Sequence, residues 1–502
     1  MDCIKVIAHI KRSNAGVLQE IPVLLTDQGV VRPLLDYCLE HAHARSASWM
    51  EFRIQAVQLL LRYCTANFDC FEDRQQMFRT FVQQLYSGTI GRDGVDPSRL
   101  YWRPRSTHSA NRLIGALTDF SEWMADRYGV DQLNPHVTAS RYDELLHWAA
   151  YQQRHARAFL AHTWDKATAK EHARQSRAIA LRRESTGHVN GVKFFPDDCF
   201  VDLLFKGFVR PSQEHHPFID GRLNLRDILI ALLLHGGGLR VSEPLHLYVH
   251  DVGIDPVLKS PTGRDVALVR VYHPVDGSAP DDWEDLAAPG KRVNREAYLR
   301  GKYGMKPRNQ YVSRSLRAGW KTRKLDDATG KYIQVQWFPS VFGEWFLDIW
   351  KLYLRQMREV PRAHPFAFVV MHGPDLGKPL SMDAYLASHQ RAVRRIGLEP
   401  AKLNGTTAHG HRHAYGQRLV NAGVDVLVRR NALHHASLES QLPYTEPTAA
   451  KVSTVLASAM DRLEHGDGQA ALDVADLLAY GFDDVDPLGL LSGTNPKFRG
   501  AP

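Results

Sequence analysis

Cysteine is scarce in this sequence, and its distribution does not suggest a disulfide framework. No C-x-x-C motif occurs in the 502 residues, and the number of cysteines is odd. The five are Cys3, Cys38, Cys64, Cys70 and Cys199. Such a pattern is typical of free thiols in a reducing compartment rather than of a secreted, disulfide-stabilised protein. We therefore expect a cytoplasmic protein.

Long hydrophobic runs are also absent. The longest uninterrupted apolar stretch is ILIALLL, whereas a membrane-spanning helix needs about 20 apolar residues. The apolar part of the first segment, MDCIKVIAHIKRS, is too short for a secretory signal peptide. No internal repeat and no long low-complexity segment is visible. These absences predict a soluble protein without a membrane partner.

The chain is long, and it carries a modest excess of positive charge. A chain of 502 residues, 44% of them hydrophobic, exceeds one typical core, so two or three domains are expected. Lysine and arginine number 63 against 55 aspartate and glutamate, which gives a net charge of +8. This surplus permits a nucleic-acid partner but does not require one.

Hydrophobic periodicity predicts a mostly α protein with a small β-sheet, an α+β fold. Residues 1–45 are mixed and contain a strand-like stretch, IPVLLTD, and helical spacing dominates residues 46–190. Turn residues near 186–220 mark a boundary. Residues 191–460 then combine helices with two strand-like segments, DVALVRVYHP and KYIQVQWFPS. The remaining segment, 461–502, is acidic, with eight acidic residues against three basic ones.

A basic segment lies in the first half of the chain. Residues 151–188 look helical and hold eight Lys/Arg against three Asp/Glu. A solvated helix face is one interpretation, and a helix that contacts a nucleic-acid backbone is the other. The candidate DNA-binding residues of the first half are Arg103, Arg105, Arg154, Arg157, Lys170, Arg174 and Arg177.

The segment GGGLRVSE places an arginine at a junction between helices. The glycines end one helix, and we expect Ser242 to cap the next, with Pro244 in its first turn. Arg240 then sits where its guanidinium can point into a cleft, and Glu243, three residues later, can orient it. Taken alone, this pattern also fits a surface arginine at a helix start.

Four further residues complete a constellation with Arg240. His409 and Arg412, in AHGHRHAYGQRL, are three residues apart and share a helix face. His435 follows 23 residues after Arg412, in LHHAS, and Tyr444 follows nine residues after His435. An arginine fork grips two phosphate oxygens, which a lysine cannot do.

Three segments resemble, in order and spacing, motifs of the tyrosine recombinases, the phage-integrase family. GLRVSE resembles the arginine box and HGHRHAY the H-x-x-R box, and LHHASLESQLPYT resembles the His-to-Tyr segment. The long insertion and the sequence pattern GWK…WFP resemble those of the recombinase of the gamma-mobile-trio elements of proteobacteria. The resemblance covers about 200 residues and implies a catalytic domain over 191–460. It also implies a helical DNA-clasping domain over 46–190.

The resemblance implies a site-specific recombinase that cleaves and rejoins DNA through a 3′-phosphotyrosyl link. Tyr444 is the expected nucleophile, and Arg240 and Arg412 stabilise the phosphate charge without a metal or cofactor. His409 acts as acid/base partner, and His435 hydrogen-bonds the scissile phosphate. The expected partners are double-stranded DNA, further copies of the chain in a tetramer, and accessory proteins of the same mobile element.

The family also uses a lysine on a β-hairpin between the two boxes, and here the sequence departs from the pattern. A long insertion, about 275–318, interrupts the hairpin, which resumes in GWKTRKLDDATGKYIQVQWFP. Lys321 is the candidate that protonates the leaving 5′-oxygen. Lys324 and Lys331 remain alternatives.

Three other functions compete with this interpretation. A metalloenzyme would use the histidines of HGHRH, but Gly410 stands where H-E-x-x-H needs a glutamate. A catalytically silent DNA-binding protein would keep the fold without cleavage. A type IB topoisomerase would share the mechanism and relax supercoils without strand exchange.

Overall fold

The structure is a computed structural model of the 502-residue chain, and it describes residues 3–11, 18–156, 158, 161–184, 193–285 and 289–435. Helices predominate in this part of the chain and are accompanied by small antiparallel sheets. The predicted α+β class is therefore confirmed. Tyr444, Arg157 and the acidic segment 461–502 lie outside the described residues.

The first half combines a small sheet with four helices. The strands are β1 (Ile4–Ile10), β2 (Gln19–Thr26) and β3 (Gly29–Val30), and the helices are α1 (Arg32–His41), α2 (Ala47–Ala66), α3 (Arg74–Ser87) and α4 (Thr107–Tyr128). Ser46, Asp73 and Ser106 cap the last three helices through their side chains. Sheet and helices share one core, which includes Ile21 and Phe81.

The segment that follows is not the single helix that we expected for residues 151–188. Helix α5 (Arg141–His155) ends early, and α6 (Lys166–Ala173) is a separate short helix. The Asp165 side chain accepts hydrogen bonds from the backbone N–H groups of residues 167 and 168, which starts α6 anew. Strand β5 (Gln175–Arg177) then pairs with β4 (His136–Thr138).

The second half is built around one buried helix. Its helices are α7 (Phe200–Asp202), α8 (Ile219–Arg222), α9 (Leu225–His235), α10 (Arg295–Tyr303), α11 (Val341–Met357), α12 (Met382–Arg395), α13 (Ala408–Asn421) and α14 (Val426–Ala432). Every residue of α9 except Arg226 is buried. A helix that is apolar on nearly all sides belongs in a core. None of the helices in the described ranges is both long and apolar enough to cross a bilayer.

A three-stranded antiparallel sheet lies in the second half, and the insertion interrupts it. Strand β6 (Val252–Lys259) pairs with β7 (Asp265–Tyr272), and β7 pairs with β8 (Tyr332–Gln334). Residue 272 lies opposite residue 332, so in the structure the insertion at this strand connection comprises residues 273–331, which extends the predicted 275–318 at both ends. The hairpin therefore resumes in the KYIQ stretch, as the sequence indicated.

Two buried arginines stabilise the fold of the insertion. Arg295 is 1% exposed, forms an ion pair with Asp251 and lies over the Tyr248 ring. Arg308, also 1% exposed, donates to the carbonyl oxygens of Leu245, Leu316 and Leu380. A buried guanidinium needs such acceptors. These two cations are structural and do not face a DNA partner.

The insertion also contacts the first half of the chain. Lys306 forms an ion pair with Glu20 at 3.1 Å, and Arg317 forms one with Glu51 at 2.7 Å. The Glu20 carboxylate also accepts the backbone N–H groups of residues 312 and 313. Burial alone would raise the pKa of Glu20, but these bonds and Lys306 lower it. The insertion is thus a bridge between the two cores.

Candidate active site

The glycine-rich loop after α9 brings Arg240 close to α13. Gly238 has a φ of +67°, in the left-handed region that favours glycine. A Cβ atom on Gly238 would lie 2.5 Å from the ring of Tyr415, a residue of α13. The run of glycines therefore allows the loop to pack on α13, besides ending α9.

Arg240 is held by Glu243 and by Thr322. Its Nη1 donates to Glu243 Oε1 at 2.9 Å and to Thr322 Oγ1 at 2.5 Å. Its backbone N–H donates to Glu243 Oε2 at 2.7 Å. The Glu243 side chain is 0% exposed, whereas that of Arg240 is 23% exposed. The guanidinium is therefore fixed on one side and open to solvent on another.

The expectation that Ser242 caps a helix is wrong. Residues Pro244–His246 form a single 3₁₀ turn that has no side-chain cap. The Ser242 hydroxyl instead donates to the carbonyl oxygen of Gly319 at 2.6 Å. Its partner comes from the end of the insertion, which a local capping pattern cannot indicate.

Arg412 lies inside the protein and joins three segments. It is a residue of α13, is 2% exposed, and donates to the carbonyl oxygens of Gly238 and Leu433. Burial alone would raise the pKa of Glu243, but the charges of Arg412 and Arg240 and a hydrogen bond from Thr322 lower it. Two guanidinium groups therefore act on one ionised carboxylate.

His409 lies beside these cations at the start of α13. Partial burial and the charges of Arg412, Arg240, Lys402 and Lys321 lower its pKa. Among these charges, those of Arg412, three residues later in the same helix, and of Arg240 have the largest effects. A lowered pKa keeps the imidazole neutral at pH 7, so one ring nitrogen can accept a proton.

His435 enters the site from the turn after α14. His434 has a φ of +50°, and its Nε2 lies 3.0 Å from Asp326 Oδ2, which fixes the turn. His435 is 7% exposed. Burial, followed by the charges of Arg412 and Arg240, lowers the pKa of His435 to about 3. At neutral pH this side chain is therefore an uncharged hydrogen-bonding group.

Lys321 lines a cleft of about 820 Å³ next to Thr322. Its charge is among those that lower the pKa of His409. Lys324 donates to Asn431 and lowers the pKa of Asp326, and Lys331 lowers the pKa of His273. The assignment of Lys321 as the general acid stays a prediction.

His409 and His413 are one helical turn apart, and their ring centroids are 4.5 Å apart. Burial and the charges of His409 and Arg412 lower the pKa of His413 to about 4. Among the described residues, no group of three or more His, Cys, Asp or Glu side chains is arranged to hold a metal ion.

The candidate DNA-binding residues of the first half differ in their surroundings. Arg103, Arg154, Lys170 and Arg174 are exposed, and Arg105 is half-buried. The guanidinium of Arg177 is occupied within the protein, since it pairs with Glu122 and donates to the carbonyl oxygen of Asn134 at 3.0 Å.

Sequence reasoning missed one site residue, Thr322. It follows Lys321 directly, but a threonine carries no distinctive signal, and its contact with Arg240 spans 82 positions. Only the closure of the insertion brings the two together.

Comparison with known proteins gives matches in sequence and in structure. No protein-family model matches the chain. The chain is 24% identical over 255 residues to transposase A from transposon Tn554 of Staphylococcus aureus, strain Mu50, and the same match is found for strain N315. The match covers 51% of this chain and 53% of the transposase, so the chain spans about half the length of the curated relatives it matches.

Among solved structures, the chain is similar to the XerH site-specific recombinase bound to a palindromic difH substrate, with a TM-score of 0.42 and 13% identity over 86% of this chain and 89% of that one. The Tn1549 transposon integrase in complex with transposon right-end DNA gives a TM-score of 0.32 and 13% identity over 81% and 99%. The XerA recombinase gives 0.30 and 12% over 85% and 96%.

The sequence match to a transposase stands beside the order and spacing of the motifs, in which this chain resembles the tyrosine recombinases.

Proposed function

We propose that this chain is a site-specific DNA recombinase that cleaves and rejoins strands through a 3′-phosphotyrosyl intermediate for a mobile genetic element. One observation carries the proposal. Arg412 of α13 donates to the carbonyl oxygens of Gly238 and Leu433, so the loop that carries Arg240, the helix that carries His409 and the turn that carries His435 meet although they are far apart in sequence.

The charge balance of this cluster suits a phosphodiester. Arg240 and Arg412 are cations, Glu243 is the ionised carboxylate between them, and the nearby imidazoles of His409 and His435 are neutral. Attack on a phosphodiester adds negative charge to the non-bridging oxygens. Fixed cations and N–H donors stabilise that charge in the transition state more than in the ground state.

Tyr444 is the nucleophile in this proposal. It lies nine residues after His435, and nine extended residues span at most about 30 Å, so the chain is long enough to bring it to the cleft. The neutral imidazole of His409 accepts the phenol proton as the oxygen attacks phosphorus. A Tyr–O–P bond forms, and the bond from phosphorus to the 5′-oxygen breaks.

Lys321 donates its proton to the departing 5′-oxygen, which leaves as a hydroxyl. No water takes part, so the phosphotyrosyl ester keeps the energy of the original diester. The 5′-hydroxyl of another strand can then attack the ester and release Tyr444. The proposed chemistry uses side chains alone and requires no metal ion or organic cofactor.

The proposed substrate is double-stranded DNA, bound in the cytoplasm by a tetramer of the chain together with accessory proteins of the same element. The exposed basic residues Arg103, Arg154, Lys170 and Arg174 are suited to contact the DNA backbone. Contacts with phosphates set the position of a protein on DNA but carry no sequence information.

Covalent capture tests the proposal. The junctions of the element that encodes the chain define the DNA site, and a nick beside the scissile bond traps the cleaved intermediate. We expect wild-type protein and Tyr415→Phe to become linked to this DNA. Tyr415 is the matched control because its hydroxyl is bound to the Gln336 carbonyl oxygen at 2.7 Å. Tyr444→Phe should bind the DNA without becoming linked, since only the hydroxyl is lost.

Each other outcome has a defined meaning. Capture by Tyr444→Phe would show that another residue is the nucleophile. Binding without capture by wild-type protein would identify a catalytically silent DNA-binding protein. Relaxation of supercoiled DNA without strand exchange would identify a topoisomerase.

A further inference from the structure

The hydroxyl of Thr322 lies between Arg240 and Glu243. Thr322 is 4% exposed, and its Oγ1 accepts from Arg240 Nη1 at 2.5 Å and donates to Glu243 Oε1. Arg240 Nη1 also donates to Glu243 Oε1 at 2.9 Å, so the three side chains form a closed ring. Both bonds of the hydroxyl involve a charged partner, which makes them stronger than bonds between neutral groups.

The segment that contains Thr322 is tied to the Arg240 loop at a second point. The Ser242 hydroxyl donates to the Gly319 carbonyl oxygen at 2.6 Å. Trp320 Nε1 donates to the Thr322 carbonyl oxygen at 2.7 Å, which folds the segment on itself. Lys321 therefore stands between two anchored residues, Gly319 and Thr322.

The contacts with Glu243 and Thr322 engage one nitrogen of the Arg240 guanidinium, Nη1. Its side-chain hydrogen bonds to other described residues all come from Nη1, and Nη2 and Nε make none within those ranges. An arginine that grips a phosphate uses two N–H groups in a fixed planar geometry. Fixing Nη1 sets the plane of the guanidinium, so the remaining N–H groups keep one direction relative to Lys321.

We infer that Thr322 is a positioning residue, which orients Arg240 towards the scissile phosphate and fixes the loop that carries Lys321. The inference rests on the proposed recombinase function. It gives the insertion a part in catalysis, because its end supplies Thr322. The same insertion is bound to the first half of the chain through Lys306 and Arg317, so both cores contribute to the geometry of the site.

The test compares Thr322→Val, which loses the hydroxyl but keeps the shape, with Thr322→Ser, which keeps the hydroxyl. Single-turnover cleavage is measured on two nicked substrates, one with an ordinary scissile phosphate and one with an uncharged methylphosphonate. We expect Thr322→Val to lower cleavage of the charged substrate roughly ten- to a hundredfold, as small misplacements in a site do, and to affect the neutral one less. Arg240→Ala should give the same pattern with larger amplitude, and Thr322→Ser should stay near wild type.

Equal losses of Thr322→Val on both substrates would mean a general structural defect and would overturn the inference, as would wild-type rates. If Thr322→Val does not fold, Thr322→Ala carries the same expectation, since it also lacks the hydroxyl. A second measurement needs no DNA: amide hydrogen exchange of the peptides around 240 and 321 should accelerate in Thr322→Val but not in Thr322→Ser. Unchanged exchange would overturn the inference even if the wild-type protein cleaved no DNA, a result that would itself refute the proposed function.

Discussion

The two faces of α13 carry the same residue types in opposite surroundings. On one face, the charges of Arg240 and Lys321 act on His409, and Arg412 donates to the Gly238 carbonyl oxygen in the loop that carries Arg240. On the other face, His411 enters the core of the second half and is 0% exposed. In the stretch HGHRH these histidines look alike, and the helical period alone separates them.

On the core face, His411 joins two other buried histidines. Its Nδ1 lies 3.1 Å from Nδ1 of His235, its Nε2 lies 2.8 Å from Nε2 of His389, and its ring stacks on Phe195 at 4.2 Å. Burial lowers the pKa of His235 and of His389 to about 4, and lowers that of His411 well below its ordinary value. Neutral imidazoles each offer one donor and one acceptor, so they can form a chain without unpaired protons.

The arginines of the helix differ in the same way. Arg418, on the core face, is balanced by the Asp197 carboxylate at 2.5 Å. Arg412 donates to carbonyl oxygens and shares Glu243 with Arg240. The partners of the two arginines, more than the residue type, thus distinguish the site face from the core face.

The largest effect should come from Arg412→Lys, which keeps the charge but removes the planar fork. We expect cleavage of the nicked DNA to fall about 10²- to 10³-fold, as for the loss of one transition-state donor. The matched control is Arg418→Lys on the core face, which should lower the melting temperature and leave cleavage per folded molecule close to wild type. Loss of cleavage in Arg418→Lys, with normal cleavage in Arg412→Lys, would contradict the distinction between the two faces of α13.

Lys321→Ala should have the next largest effect, a loss of about a hundredfold, because it removes a general acid. A substrate whose leaving group is a 5′-thiol should restore the rate, since a thiolate departs without being protonated. Lys324→Ala is the control, because its ammonium group is bound to Asn431. If Lys324→Ala shows the loss and the thiol rescue, the general acid has been misassigned.

His411→Ala should act on stability instead of cleavage. It removes two buried hydrogen bonds and a stacked ring, for which we expect a decrease of about 2–4 kcal/mol in the free energy of unfolding. His409→Ala should do the opposite, with a large loss of cleavage and little change in stability. Urea unfolding and single-turnover cleavage of both variants measure the two effects, and similar profiles for the two would mean that the faces are not distinct.

Much of the site could be predicted because its chemistry fixes residue types and intervals. The spacing of His409 and Arg412 indicated a shared helix face, and Glu243 was expected beside Arg240, where the structure has it. The end of α9 followed from a local signal, the glycines of GGGLRVSE, the first of which comes directly after the last residue of that helix. Periodicity and capping are short-range properties, so a sequence discloses them directly.

What could not be predicted depends on contacts between distant segments. The partners of Ser242 and Thr322 lie across the insertion, at Gly319 and Arg240. The helix expected over 151–188 was wrong because Asp165 starts a new helix and β5 pairs with β4. A basic, helical composition does not reveal a tertiary strand pairing.

The smallest effect concerns pH, and it isolates one histidine of the core face. The Nε2 atom of His389 lies 2.8 Å from Nε2 of His411. Burial lowers the pKa of His389 from an ordinary 6.5 to about 4, and the charge of Asp227 opposes this shift. Between these values the unfolded chain binds a proton that the folded chain does not, so stability falls as the pH drops from 6.5 towards 4. His389→Phe removes this proton, so its stability should decline less steeply by up to about 1.4 kcal/mol per pH unit. Urea unfolding between pH 7.5 and pH 4 gives the slope of the unfolding free energy against pH for both proteins. Equal slopes would mean that His389 is already protonated in the folded core over this range. The neutral chain of imidazoles could then not exist.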